Sequence, residues 1–158
     1  MKRTVPAHPH AIAAREERRA EALAMGIDED FIAVLVDRFY TTIRADAELG
    51  PIFNERVRDW PAHLQQMNRF WQSILLGAGN FTGNPMMKHL AIPTIGQEHF
   101  QRWLGLFYET LRDVAPTPEA TAQVGSRARM IAESLLTGIW VHRDRNQDLS
   151  KKVELPHV

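Results

Sequence analysis

The sequence predicts an all-α fold, and three observations carry the prediction. No segment alternates apolar and polar residues with period two, every long apolar pattern recurs at helical spacing, and the patterns are bounded by caps, glycines and prolines. A chain of 158 residues, 44% of them apolar, suffices for one domain with a sizeable core. Its 19 Lys and Arg balance 19 Asp and Glu, so it carries no basic footprint for nucleic acid or anionic lipid. Without cysteine, disulfides, thiolate metal sites and thiol nucleophiles are excluded, and any metal must bind through nitrogen or oxygen. The N-terminus passes through Pro6, His8, Pro9 and His10 into Arg15-Glu-Glu-Arg-Arg19, without the apolar core of a signal peptide. No apolar run is long enough to cross a bilayer, so a cytoplasmic protein is expected, with neither membrane nor nucleic acid among its partners.

Residues 1–10 have no periodic pattern and are expected to be a disordered lead-in. Residues 11–25 are rich in Ala, Arg and Glu and predict a helix. With only Ile12, Leu23 and Met25 as large apolar groups, it should lie loosely on the surface. Residues 1–27 are thus read as a partly helical extension of the main domain, 28–142. Gly26 ends that first helix, Asp28 caps the next, and Ile27 is placed to staple against Ile32. From Phe31 to Ile43 the helix should be buried: Val36, Tyr40 and Ile43 form one stripe, with Leu35 and Phe39 beside it. Leu49-Gly-Pro-Ile-Phe53 predicts a turn, because Gly50 and Pro51 break helices, yet its apolar residues should point inward.

Asp59 caps a further helix that tolerates Pro61 in its first turn and runs through Leu76 to Gly77-Ala-Gly79. It carries His63, Met67, Phe70, Trp71 and Ile74 on one stripe. A Gly/Asn-rich stretch to Asn84 follows. Pro85 and Pro93 then bracket a short, stiff segment with His89 in its middle. Thr94-Ile-Gly-Gln97 fits a capping box for a helix from about Ile95 to Val114, on which His99, Trp103 and Phe107 recur every four residues. Thr117-Pro118 opens a last helix to about His142, burying Val124, Ile131, Leu135 and Ile139. Residues 143–158 are a charged tail, expected to be mobile.

A plain helical bundle without a cofactor does not require histidines on its inward stripes. His63, His89 and His99 would suit zinc with an open fourth position, which is one reading of the site. Against it, Phe39, Phe53, Met67, Phe70, Trp103 and Phe107 would line a cavity far too large and apolar for one hydrated ion. A flat apolar cofactor fits better. Haem needs one strong axial nitrogen, two apolar walls and control over the donors on the open side. His89 supplies the nitrogen, and Tyr40, His63 and Trp103 are the candidate donors. His99 fits a satisfied core or surface histidine, and Arg69, Lys88 and Arg102 are cations available near the site.

Phe39-Tyr40, Leu49-Gly-Pro-Ile-Phe53, Trp60-Pro-Ala-His63, Phe70-Trp71, Leu75-Leu-Gly77, Lys88-His-Leu90 and Trp103-Leu-Gly-Leu-Phe107, in this order and spacing, resemble the motifs of group III truncated haemoglobins. The resemblance covers about residues 28–142. It implies a shortened globin fold, two helices crossed over two, here with an extra N-terminal helix, and non-covalent haem b. It further implies His89 as the proximal iron ligand, Tyr40 as the distal tyrosine, and His63 as the distal-helix histidine. Trp103 would lie over the haem edge and Phe53 would pack on the porphyrin. Met67 departs from the aliphatic wall residue expected one turn after His63 and adds an oxidisable thioether. The function so implied is binding of O2, NO, CO or peroxide. Redox chemistry of the nitric-oxide dioxygenase or peroxidase kind, fed by an unidentified reductase, is expected over oxygen transport. A simple oxygen-storing or ligand-sensing globin is the alternative.

Overall fold

Asp28 turns its side chain back to accept the Phe31 N–H at 2.8 Å, and the chain leaves it as α2 (Glu29–Ala45), the helix against which the others are laid. The structure, a computed structural model, describes residues 9–92, 94–143 and 154–158, without the side chains of Met86, Met87 and Leu90. Within those residues it is all helical, with α1 (Pro9–Ala24), α3 (Leu49–Arg56), α4 (Trp60–Leu76), α5 (Pro85–Leu90), α6 (Gln97–Val114) and α7 (Pro118–Arg143) completing the set. α2 packs on both α4 and α6, while α7 packs on α6 and α5, so α2 with α4 and α6 with α7 make two pairs laid over one another. None of the helices in the described residues is long and apolar enough to cross a membrane.

The core follows the predicted stripes of α2, where Ile32, Leu35, Val36, Phe39 and Ile43 are almost wholly excluded from solvent. Ile27 is buried with Ile32, as the staple requires. Asp59 accepts the Ala62 N–H at 3.1 Å to start α4, and Gly77, left-handed at φ 64°, ends it. α1 rests on α4 and buries only Ala22, while Ile12 and Leu23 stay exposed. It begins at Pro9, inside the lead-in expected for residues 1–10, whose first eight residues lie outside the described residues.

Three local expectations need correction. The turn predicted at Leu49–Phe53 is the start of α3. Pro51 is its third residue, where no intrahelical partner is missed, and Asp46 Oδ2 accepts the Glu48 and Leu49 N–H groups in front of it. Gly50 is needed there because a Cβ would lie 2.8 Å from the Arg44 carbonyl oxygen. Next, α6 starts at Gln97 and not Ile95, and its opening bond is the Gly96 N–H donating to His99 Nδ1 at 2.9 Å. Arg143 donates to the carbonyls of Ile92 and Ile95, which holds those residues in the preceding turn. Last, the tail is not mobile to its end: Leu155 is buried, Tyr108 Oη donates to the Pro156 carbonyl at 2.6 Å, and Val158 sits against Gly125. The rest of that expectation, residues 144–153, falls outside the described residues.

Candidate cofactor cavity

A cavity of about 640 Å³ lies between α4 and α5 and is closed behind by α6 and α7, within the size range of small-molecule and cofactor sites. α4 faces it with His63, Met67 and Phe70, and α5 with His89. Tyr40 enters from α2, Phe53 from α3 and Trp103 from α6. Tyr40, His63, Met67, Phe70 and Trp103 come to the cavity from their helical stripes, and Phe53 and His89 from shorter segments. Two expected lining residues do not: Phe39 and Phe107 are 1% exposed and stand one layer behind. Phe39 meets Tyr40, Trp103 and Phe107 edge-on at 5.1, 5.3 and 5.1 Å, and Phe107 stacks on both Trp103 and Trp71 at 5.4 and 5.2 Å. Such contacts contribute about 0.5–1.5 kcal/mol each beyond burial, so this second layer holds Tyr40 and Trp103 in place. Their four-residue spacing along α6 puts Trp103 and Phe107 on one stripe, but stripe membership does not say which of the two reaches the open space.

His89 is held by its own helix. Its Nδ1 lies 2.6 Å from the Pro85 carbonyl, and because a carbonyl oxygen only accepts, Nδ1 must carry the proton. The Nε2 lone pair is thereby left for a metal, the arrangement that a second partner imposes on metal-binding histidines. Phe100 stacks beside the ring at 6.2 Å.

On the α4 wall, His63 is boxed by Tyr40 and Trp60, both edge-on, at 5.2 and 5.5 Å. Its Nε2 is buried and has no hydrogen-bond partner. An unmet buried polar atom costs about 1–3 kcal/mol, which a bound polar group would offset. Burial, and secondarily the charge of Lys88, pushes the His63 pKa down, so the ring is neutral near pH 7. Burial pushes the Tyr40 phenol well above its ordinary value, so it keeps its proton. The apolar walls, one preset imidazole nitrogen and an unmet buried ring nitrogen on the α4 wall fit a flat, apolar cofactor with an axial site.

They do not fit zinc. Among the described residues no three His, Cys, Asp or Glu side chains gather to hold a metal ion. His99 borders the cavity, but the Gly96 N–H occupies its Nδ1, so it caps α6. Of the cations expected nearby, Lys88 lines the cavity, whereas Arg102 is turned to Asp46 in a two-pronged pair with Nη2–Oδ1 at 2.6 Å and Nε–Oδ2 at 2.8 Å. Arg69 does not reach the wall, and Arg56 and Arg58 do. Reading Leu49–Phe53 as a turn hid those two, since α3 carries the chain round to them. Ile131 and Leu135 also line the cavity, which is why they are only half-buried on a stripe predicted to be buried.

The family model of bacterial-like globins matches residues 23–134. The group 3 truncated haemoglobin Ctb of Campylobacter jejuni is 39% identical over 110 residues, spanning 67% of this chain and 86% of that protein. The crystal structure of a group III truncated haemoglobin from Campylobacter jejuni superposes with a TM-score of 0.69 at 37% identity, covering 73% of this chain and 94% of that one.

Proposed function

The chain belongs to the bacterial-like globins, as a group III truncated haemoglobin, and from that membership we propose that it is a haem b protein of redox chemistry and not an oxygen carrier. Haem binding and small diatomic ligands come with the family. Haem b supplies a redox-active iron able to take O2, NO, CO or peroxide. His89 Nε2 is the axial ligand in this reading, and Phe53, Met67, Phe70 and Trp103 are the walls. Phe39 and Phe107 back those walls without touching the cavity.

The observation that carries the proposal is the set of polar groups that α2, α4 and α6 bring to the cavity, above all the buried, unpartnered Nε2 of His63. Tyr40, His63 and Trp103 all line the cavity, and the neutral Tyr40 phenol remains a donor at every physiological pH. Each donor that reaches a ligand with partial negative charge stabilises it by about 1–2 kcal/mol, or roughly tenfold in its release. A ligand held by two donors leaves about a hundredfold more slowly, which suits a reaction with a second small molecule and not delivery. Turnover with nitric oxide or peroxide needs electrons, so a reductase is the implied protein partner.

Stopped-flow oxygen release from the haem-loaded protein, Tyr40→Phe and Trp103→Phe tests this. Each variant should release oxygen roughly tenfold faster. Native release as fast as in both variants would refute a donor-held ligand and leave a storage or sensing globin.

A further inference from the structure

We propose that Met67 is a reversible oxidation site, at which peroxide entering the cavity converts the thioether to a sulfoxide and so retunes the donor wall. This rests on the haem reading above. Met67 is half-buried and lines the cavity. It lies four residues after His63, which places both side chains on one face of α4. The cavity is lined mainly by aromatic and aliphatic side chains, with Tyr40, His63, Gln66 and Lys88 among its polar members, so the sulfur is a soft, polarisable nucleophile in a mainly apolar enclosure. Any peroxide that enters the cavity meets that wall. The sulfur attacks one peroxide oxygen, the O–O bond breaks as the S–O bond forms, sulfur gives up two electrons, and the second oxygen leaves with both protons as water. The product replaces a thioether by a polar S=O group, a strong hydrogen-bond acceptor, on the same face of α4 as His63, whose ring packs edge-on against Tyr40. Those are two of the three donors that the proposed function assigns to the ligand. A sulfoxide there competes for them, and oxygen leaves faster. Methionine sulfoxide reductase reverses the change.

Solvent exposure alone predicts a different order of damage. Among the methionines whose side chains are described, Met130 on α7 is the most exposed, at 51%, and bulk peroxide should meet it before Met67. The haem-loaded protein and the haem-free chain are therefore treated with equimolar hydrogen peroxide, and oxygen gain at each methionine is mapped by mass spectrometry. The expected result is Met67 ahead of Met130 in the haem-loaded protein and the reverse in the haem-free chain. Oxygen release from the oxidised protein should quicken about tenfold, return after treatment with the reductase, and stay unchanged by peroxide in Met67→Leu. Met130 ahead of Met67 in the haem-loaded protein overturns the inference, as does an equal response in Met67→Leu. Peroxide-driven oxidation of a dye, followed in parallel, reports on the proposed function separately. Dye turnover with Met67 intact removes only this inference, and Met67 oxidation without dye turnover removes only the peroxidase reading.

Discussion

His89 and His99 stand at the two ends of one loop and use their rings in opposite ways. His89 gives its Nδ1 proton to the Pro85 carbonyl and keeps Nε2 free, while His99 spends its Nδ1 lone pair on the Gly96 N–H. With His89 as the proposed iron ligand, His89→Ala should release haem, seen as a weakened Soret band and faster hemin transfer to an acceptor globin. His99→Ala should cost about 1 kcal/mol of stability from one lost hydrogen bond while haem is retained. Bleaching by His99→Ala and not by His89→Ala would reverse the two roles. The chemistry of these residues is legible from sequence; which ring nitrogen is occupied is not, because that depends on where a backbone carbonyl or N–H comes to rest.

Elements in this fold are joined by a few charged side chains. Asp46 ends α2, caps α3 and binds Arg102 of α6. The Arg102 guanidinium chiefly, helped by the Leu49 and Glu48 N–H groups, holds its carboxyl down at about 2, against an ordinary 3.8. A depressed carboxylate stabilises the fold above its ordinary pKa, and that stability is lost as pH falls through the folded value. Acid unfolding followed by circular dichroism should show this loss between about pH 4 and 2, and Asp46→Asn should start from a less stable protein with a shallower acid limb. An unchanged limb would mean that the pair does not lock α3 to α6. In the turn after α5, Arg143 of α7 binds the carbonyls of Ile92 and Ile95. Arg143→Ala should speed hemin loss several-fold without loss of helix content, while hemin loss at the native rate would show that the loop holds itself.

At the scale of the whole molecule, the chain's last residues close a groove. Leu155 is buried, Tyr108 binds the Pro156 carbonyl, and a Cβ on Gly125 would come within 2.6 Å of Val158. Removing residues 154–158 should cost about 1.5–3 kcal/mol for Leu155 burial alone and lower the Tm by several degrees. A truncated protein melting with the native one would show that this contact contributes nothing in solution. α1, at the other terminus, buries little by comparison, and its exposed Ile12 and Leu23 agree with the loose helix read from its composition.

What the sequence determined by itself is what acts over a few residues. Asp28 and Asp59 start helices, Gly77 stops one, and the stripes of α2, α4 and α6 bring Tyr40, His63, Met67, Phe70 and Trp103 to one side. These are local hydrogen bonds and helical spacing, readable without the rest of the fold. Tertiary structure decided what depends on distant partners. Pro51 sits inside a helix because Asp46 and Arg44 surround its first turn. Phe39 and Phe107 became the second layer because Tyr40, Trp71 and Trp103 fill the space before them. Arg102 turned to Asp46 and left the cavity to Arg56 and Arg58. The end of the tail found its place only once α6 and α7 had made a groove for it. Depth and choice of partner are set by packing between elements far apart in the chain, and no window of sequence contains both sides of such a contact.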